Sequence, residues 1–103
     1  MFDVKEEKQC TRIIINKQIK SIDEIIKLDS SVIKIIENLK KESLIIGLSY
    51  CKELPSSVLG FFVNWERKIK EMGKELVLLD PPDSLMDLIE ICDLNSFITV
   101  RKS

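Results

Sequence analysis

Two hydrophobic periods alternate along this chain and predict an alternation of strands and helices. Residues 2–6 weakly alternate apolar and polar side chains, and residues 11–15 (TRIII) are β-branched and apolar, so the two segments predict an antiparallel hairpin at a sheet edge. The apolar runs at residues 44–48, 76–79 and 97–100 predict three more strands. The run at residues 44–48 is apolar on both faces, which is typical of a central parallel strand covered on both sides.

Apolar residues recur at helical spacing in the segment that follows the hairpin. The predicted helix begins at a capping-box pattern, from Ser21 to Glu24, and ends near Lys40, because cations suit a helix C-terminus. Asp29 falls on the apolar face of this helix, where a carboxylate is costly to bury. The pattern therefore allows either one continuous helix or a break with a new cap at Asp29.

The order of the predicted elements defines a fold class. A second helix covers residues 58–72 with Gly73 as its C-terminal glycine, and a third begins after a cap at Asp83 or Ser84. The order is β-β-α-β-α-β-α-β. It predicts a single α/β domain over residues 1–103, with a small, mainly parallel sheet, an N-terminal antiparallel edge hairpin and packed helices.

Composition and charge exclude several classes of function. The 103 residues are 45% hydrophobic and 32% charged, and the net charge of −1 argues against a nucleic-acid partner. No apolar run approaches the ~20 residues that span a bilayer, and the N-terminus lacks a signal-peptide core. We therefore expect a cytoplasmic protein without direct membrane insertion. The three cysteines are widely spaced and there is no histidine, so we expect no disulfide framework, metal or cofactor.

The stretch from residue 44 to residue 60, LIIGLSYCKELPSSVLG, combines a buried strand, a serine pair and a helix start. Ser56 and Ser57 fit the role of N-capping residues, whose oxygens accept the free amide protons of a helix. The same position also suits an anion, including a phosphate carried by a serine. The spacing of the residues does not separate the two interpretations.

The second predicted helix has a core face and an apolar pair beside it. The core face consists of Val58, Phe61, Phe62, Trp65, Ile69 and Met72. Leu59 and Val63 lie off this face, one turn apart and next to Glu66 and Lys70. Such a pair next to the serine turn favours a docking surface for a protein partner, although scattered exposed apolar residues are normal.

No residue pattern indicates catalysis. Cys51 follows the central strand, but no histidine can activate it, so a buried turn cysteine is the better interpretation. The aspartates around Pro81 and Pro82 fit helix caps better than a metal cluster; they are Asp80, Asp83 and Asp87. The three glycines do not form a phosphate loop.

The run LIIGLSYCKELPSSVLGFF, followed by ERKIKEMGKELVLLDPPDSLMDLIEICDLNSFITV, resembles a STAS domain, the domain of anti-sigma-factor antagonists. The shared features are a buried strand, a turn with a serine pair, an amphipathic helix that ends at a glycine, a Leu-Val-Leu strand, a short helix and a Leu-x-x-x-Phe ending. The resemblance covers essentially the whole chain. Its N-terminal hairpin and first helix fit by order and length rather than by motif.

The resemblance implies a non-enzymatic regulatory domain of bacterial transcription. By this resemblance Ser57 matches the serine that an anti-sigma kinase phosphorylates, and Ser56 matches its neighbour. Together with the apolar pair on the second helix, these positions give the expected partner-binding residues Pro55, Ser56, Ser57, Val58, Leu59 and Val63. Two positions depart from the pattern, since Pro55 replaces an aspartate and Val58 a glycine.

These departures leave two functions open. One is an antagonist that binds an anti-sigma factor or serine-kinase-like protein and is controlled by phosphorylation at Ser57. The alternative is a STAS scaffold that does not switch, or a small subunit of a larger assembly such as a lipid-transport ATPase complex. A third, enzymatic function would need Cys51 as its nucleophile.

Overall fold

The computed structural model describes all residues from 1 to 103. The strands are β1 (Phe2–Glu6), β2 (Cys10–Ile15), β3 (Ser43–Gly47), β4 (Glu75–Leu79) and β5 (Thr99–Arg101). The helices are α1 (Ile22–Glu37), α2 (Val58–Glu71) and α3 (Asp83–Ile91). None of the three helices has the length and apolarity to cross a lipid bilayer. The predicted order of elements and the α/β class are confirmed.

The five strands form one sheet in the order β1-β2-β3-β4-β5. β1 and β2 are antiparallel, with Val4 opposite Ile13, whereas all later pairs are parallel. β3 is the central strand, between β2 and β4. The predicted edge hairpin and the mainly parallel sheet are therefore both confirmed.

All three helices pack on the same face of the sheet. Each parallel crossover moves one strand in the same direction, and right-handed crossovers then place every helix on one side. Alternate strand residues such as Ile13, Leu44 and Leu78 join the buried residues of the helices in a single core. Ile45 and Val77 are buried but lie outside that core, on the opposite face. The helices therefore cover one face of β3, while Ile45 is also buried on the other face.

α1 is one continuous helix, so no break occurs at Asp29. The Asp29 carboxylate is half-buried and accepts a hydrogen bond of 2.6 Å from Trp65 Nε1. This partner explains how a carboxylate is accommodated on the apolar face of α1. Ser21 caps the helix by accepting from Glu24 N, but the Glu24 carboxylate accepts from Lys20 N, one residue before the cap. The helix ends at Glu37, before the predicted Lys40, because Asn38 turns the chain out of it.

The ends of the other elements shift by one or two residues. Gly73 has φ of 71° and terminates α2 as predicted, with Lys74 N donating to Ile69 O at 3.1 Å. Pro82 is the N-cap of α3, so the predicted caps Asp83 and Ser84 are wrong. Proline has a fixed φ and suits this extended position, and no side chain caps the helix. The last strand begins at Thr99 instead of residue 97.

Candidate functional site

The turn between β3 and α2, residues 48–57, is held by a side chain from a distant segment. Gln18 Oε1 accepts hydrogen bonds from Lys52 N (2.8 Å) and Glu53 N (3.4 Å), and Gln18 Nε2 donates to the Glu53 carbonyl. Gln18 follows β2, whose carboxyl end lies beside that of β3 in the parallel sheet. One amide group thus fixes the backbone shortly before the serine pair.

The buried side chains of Cys51 and Leu54 anchor the same turn to the core, together with that of Val58, the first residue of α2. The Cys51 thiol donates to Lys17 O at 3.6 Å, and burial raises the pKa of the thiol. A buried thiol with a raised pKa is a poor nucleophile, so the structure supports its interpretation as a turn cysteine. The side chain of Val58 is fully buried and cannot contact a partner, which corrects its place in the predicted binding surface.

Ser56 and Ser57 are exposed at the beginning of α2. Ser57 occupies the N-cap position, but its backbone is helical (φ −61°, ψ −20°) and its side chain makes no capping hydrogen bond. The first amides are satisfied by backbone instead, since Val58 N donates to Pro55 O (3.0 Å) and Leu59 N to Ser56 O (3.2 Å). The interpretation of Ser57 as a side-chain cap is therefore wrong, and its hydroxyl is free of a structural role.

Ser57 borders a depression of about 260 Å³ between α1 and α2, which is also lined by Asp29, Gly60, Phe61 and Asn64. Gly60 leaves the depression open, because a Cβ added there would meet no atom within 4 Å. Asp29 is the only charged residue of the lining. The hydrogen bond from Trp65 Nε1 fixes its carboxylate at this position.

The start of α2 carries no compensating negative charge. Its first turn contains no acidic residue, while Lys68 and Lys70 lie in its last turn. The partial positive charge of the helix N-terminus is thus directed at Ser57 without a side-chain partner. A separate depression that begins at Pro55 is lined by two cations, Lys20 and Lys52, and by the carboxylate of Glu53. The corner can accept an anion, yet Asp29 opposes one on the α1 side.

Leu59 and Val63 are half-buried and pack against the core with part of their surface. They lie on the side of α2 that faces away from α1, with Val63 two turns before Lys70. Glu66, predicted beside this exposed pair, is instead 1% exposed. Phe61 and Met72 were predicted in the core, but Phe61 is half-buried and Met72 is 39% exposed.

The remaining candidates form no site. Asp80 has φ of 54°, and its carboxylate accepts hydrogen bonds from the backbone N–H and hydroxyl of Ser103 (both 2.8 Å), which lower its pKa. Asp83 and Asp87 lie on α3. No group of three or more cysteine, aspartate or glutamate residues could hold a metal ion.

Two residues that shape this corner, Gln18 and Asp29, were not predicted as site residues. Gln18 lies in a short polar link without periodicity, and only the neighbouring carboxyl ends of β2 and β3 bring it to the turn. Asp29 was noticed as an anomaly on the apolar face of α1. Its link to Trp65, and its place beside Ser57, depend on how α1 packs against α2.

Solved structures of anti-sigma-factor antagonists and STAS domain proteins share this fold. No protein-family model and no curated protein matches this chain. A putative anti-sigma factor antagonist from Thermotoga maritima superposes with a TM-score of 0.86 at 19% identity, over 99% of this chain and 86% of that one. A STAS domain protein from Planctomyces limnophilus gives a TM-score of 0.83 at 18% identity, over 99% and 89%. The phosphorylated form of the Bacillus cell-fate determinant SpoIIAA gives 0.75 at 12% identity, over 97% and 90%.

Proposed function

The fold of this chain is that of STAS domains, and we propose that it acts as a non-enzymatic regulatory domain of the anti-sigma-factor antagonist type. The proposed partner is an anti-sigma factor or serine-kinase-like protein in the cytoplasm, and the proposed phosphoacceptor is Ser57. The observation that carries the proposal is the free Ser57 hydroxyl, exposed at the N-terminus of α2 directly after the central strand.

The proposed binding surface consists of Pro55, Ser56, Ser57, Leu59 and Val63. Gln18 and the buried anchors of the turn hold its backbone, so little conformational entropy is lost when a partner binds. Leu59 and Val63 supply the apolar contact, and the serines supply polar contact at its edge. Val58 supports this surface from below through its buried side chain.

Phosphorylation of Ser57 would act on binding and leave the fold unchanged. A phosphate adds about −1.5 to −2 charges at neutral pH and would lie at the positive end of α2, where it is tolerated. No hydrogen bond inside the chain depends on the Ser57 hydroxyl. Binding of a partner to the apolar surface of Leu59 and Val63 would instead have to remove water from the phosphate beside it. This costs free energy and weakens the complex.

The decisive experiment incubates the protein with the serine-kinase-type anti-sigma factors of its own genome and ATP, and maps the modified residues by mass spectrometry. We expect phosphate on Ser57, its absence in Ser57→Ala and its persistence in Ser56→Ala. Binding should be lost in Leu59→Asp and Val63→Asp. Ile91→Asp is the matched control, because Ile91 is 78% exposed and lies at the far end of α3.

A second function, the STAS scaffold or assembly subunit that does not switch, is favoured by Asp29 and Pro55. The Asp29 carboxylate repels a phosphate in the depression beside Ser57. Pro55 offers neither a carboxylate nor an amide donor before the serine pair. A Ser57 that stays unmodified while Leu59→Asp still abolishes binding would support this function over the first.

A further inference from the structure

β1 is an edge strand whose outer backbone groups are free. It pairs with β2 on one side, where Asn16 N donates to Met1 O (2.9 Å) and Glu7 N donates to Cys10 O (2.8 Å). Backbone groups alternate in direction along an antiparallel strand, so residues 1, 3, 5 and 7 direct theirs at β2. The N–H and C=O groups that point away from the sheet therefore belong to Phe2, Val4 and Glu6.

The three central side chains of β1 are exposed to solvent. Val4 lies on the helix-covered face of the sheet and is 46% exposed. Asp3 and Lys5 lie on the opposite face, and both are exposed. Asp3 Oδ2 accepts a hydrogen bond from Asn16 Nδ2 at 3.0 Å, which leaves Oδ1 available, and Lys5 forms no ion pair within its own chain.

We propose that β1 pairs in antiparallel fashion with β1 of a second copy of this chain, around a two-fold axis beside Val4. In this register Val4 faces Val4, and Phe2 faces Glu6 of the second copy. All of these residues direct their free backbone groups outward, so they form hydrogen-bonded pairs across the new edge. The two sheets become one continuous sheet, and this inference does not depend on the proposed function.

Charge selects this register among the possible ones. Asp3 faces Lys5 of the second copy, at a non-hydrogen-bonded position where Cα atoms approach to about 4.5 Å and side chains are closest. Moving the axis to Asp3, Lys5 or Glu6 places that residue opposite its own copy, and like charges opposite each other are destabilising. The register centred on Val4 pairs the whole strand and brings opposite charges together.

A lysine on an edge strand usually prevents association of sheets, because it opposes unrelated edges. Here Lys5 disfavours pairing of β1 with any strand that has no carboxylate opposite it. The β1 of a second copy supplies that carboxylate through Asp3. The partner that fits this edge is therefore a second copy of the chain.

Sedimentation equilibrium of the whole protein over a concentration series tests the proposal. We expect a reversible monomer–dimer equilibrium that Val4→Pro abolishes. Proline removes an outward N–H that the pairing of β1 with β2 does not use, and prolines of this kind are tolerated at sheet edges. Circular dichroism of Val4→Pro should match that of the unmodified protein.

A charge exchange provides a second variant that does not change the backbone. Lys5→Asp places acidic residues opposite each other and should raise the dissociation constant about tenfold. The double variant Asp3→Lys with Lys5→Asp restores opposite charges and should recover dimerisation. Lys68→Glu, an exposed charge reversal on α2, is the matched control and should have no effect.

Cross-linking tests the register itself. In a background with Cys10→Ser and Cys92→Ser, Val4→Cys should form an intermolecular disulfide, because the Cα atoms of a hydrogen-bonded pair lie about 5.5 Å apart. Asp3→Cys should not, because Asp3 faces Lys5. A protein that stays monomeric up to a concentration of about 1 mM would overturn the proposal. So would a dimer that is insensitive to Val4→Pro and Lys5→Asp.

Discussion

Replacing Glu66 with glutamine should stabilise the fold at neutral pH and have no effect in acid. The Glu66 side chain is 1% exposed, and its Oε1 lies 3.5 Å from Lys70 Nζ. Its Oε2 has no hydrogen-bond partner. Burial raises the pKa of this carboxyl above 4.5, and the cation of Lys70 opposes that rise in part.

The sign of the pH effect follows from the raised pKa. Between 4.5 and the higher pKa of the folded state, folded Glu66 holds a proton that the unfolded chain has lost. The stability contributed by protonated Glu66 is fully present below the unfolded pKa and is lost as the pH rises through the folded pKa. Glutamine keeps a polar atom at both positions but carries no charge, so the substitution removes the cost of burying a carboxylate with only one partner, about 1–3 kcal/mol, of which the Lys70 cation already recovers a part. We therefore expect a gain of about 1 kcal/mol for Glu66→Gln at neutral pH.

The measurement is urea unfolding of both proteins across a pH series, with thermal unfolding as a second readout. A gain of 1 kcal/mol corresponds to a rise of about 4–8 °C in Tm for a domain of this size. Glu71→Gln removes the same charge from an exposed position of α2 and should have little effect. The reasoning would be refuted if Glu66→Gln changed the free energy of unfolding by the same amount at all pH values. A lower free energy of unfolding at neutral pH would refute it as well.

Three further predictions concern α2 and its surroundings. Gly73→Ala should lower the free energy of unfolding by about 1–2 kcal/mol, because its φ of +71° is strained for alanine although no atom obstructs a Cβ. Gly60 is equally unobstructed but lies within a helix, so Gly60→Ala should raise the free energy of unfolding by about 0.5 kcal/mol in the same assay. Trp65→Phe should lower the free energy of unfolding by about 1–2 kcal/mol, because it removes the indole N–H that donates to Asp29. In a double-mutant cycle with Asp29→Ala, most of that loss should appear as coupling energy between the two residues, and additive effects would contradict the hydrogen bond. A thiol reagent should leave Cys51 unmodified in the native protein while the exposed cysteine after α3 reacts, and equal rates at both would contradict the burial.

The order of the elements could be predicted because each strand and each helix carries its own local pattern. The apolar run before Ser49 and the Leu-Val-Leu run before Asp80 are short and bounded by polar turns, which is how buried parallel strands appear. Gly73 was predictable for a similar reason, since a left-handed residue after a helix is usually glycine. Such signals require only neighbours in sequence.

The contacts that shape the site could not be predicted because they join residues far apart in sequence. Gln18 and Glu53 are 35 positions apart, and Asp29 and Trp65 are 36 positions apart. Glu66 was predicted to face solvent because the helical pattern of α2 assigns only one face to the core. α2 packs against α1, β4 and α3, and this wider contact encloses Glu66 as well.

Asp29 connects the stability of the fold with the chemistry proposed at Ser57. Its carboxylate accepts the Trp65 indole N–H and so stabilises the contact of α1 with α2, yet the same charge faces the depression beside Ser57. A phosphate on Ser57 would gain from the N-terminus of α2 and lose from Asp29. Asp29→Asn keeps an oxygen that can accept from Trp65 and removes the negative charge. If Ser57 is the phosphoacceptor, this variant should be phosphorylated faster than the unmodified chain, and an unchanged rate would show that Asp29 does not oppose the phosphate.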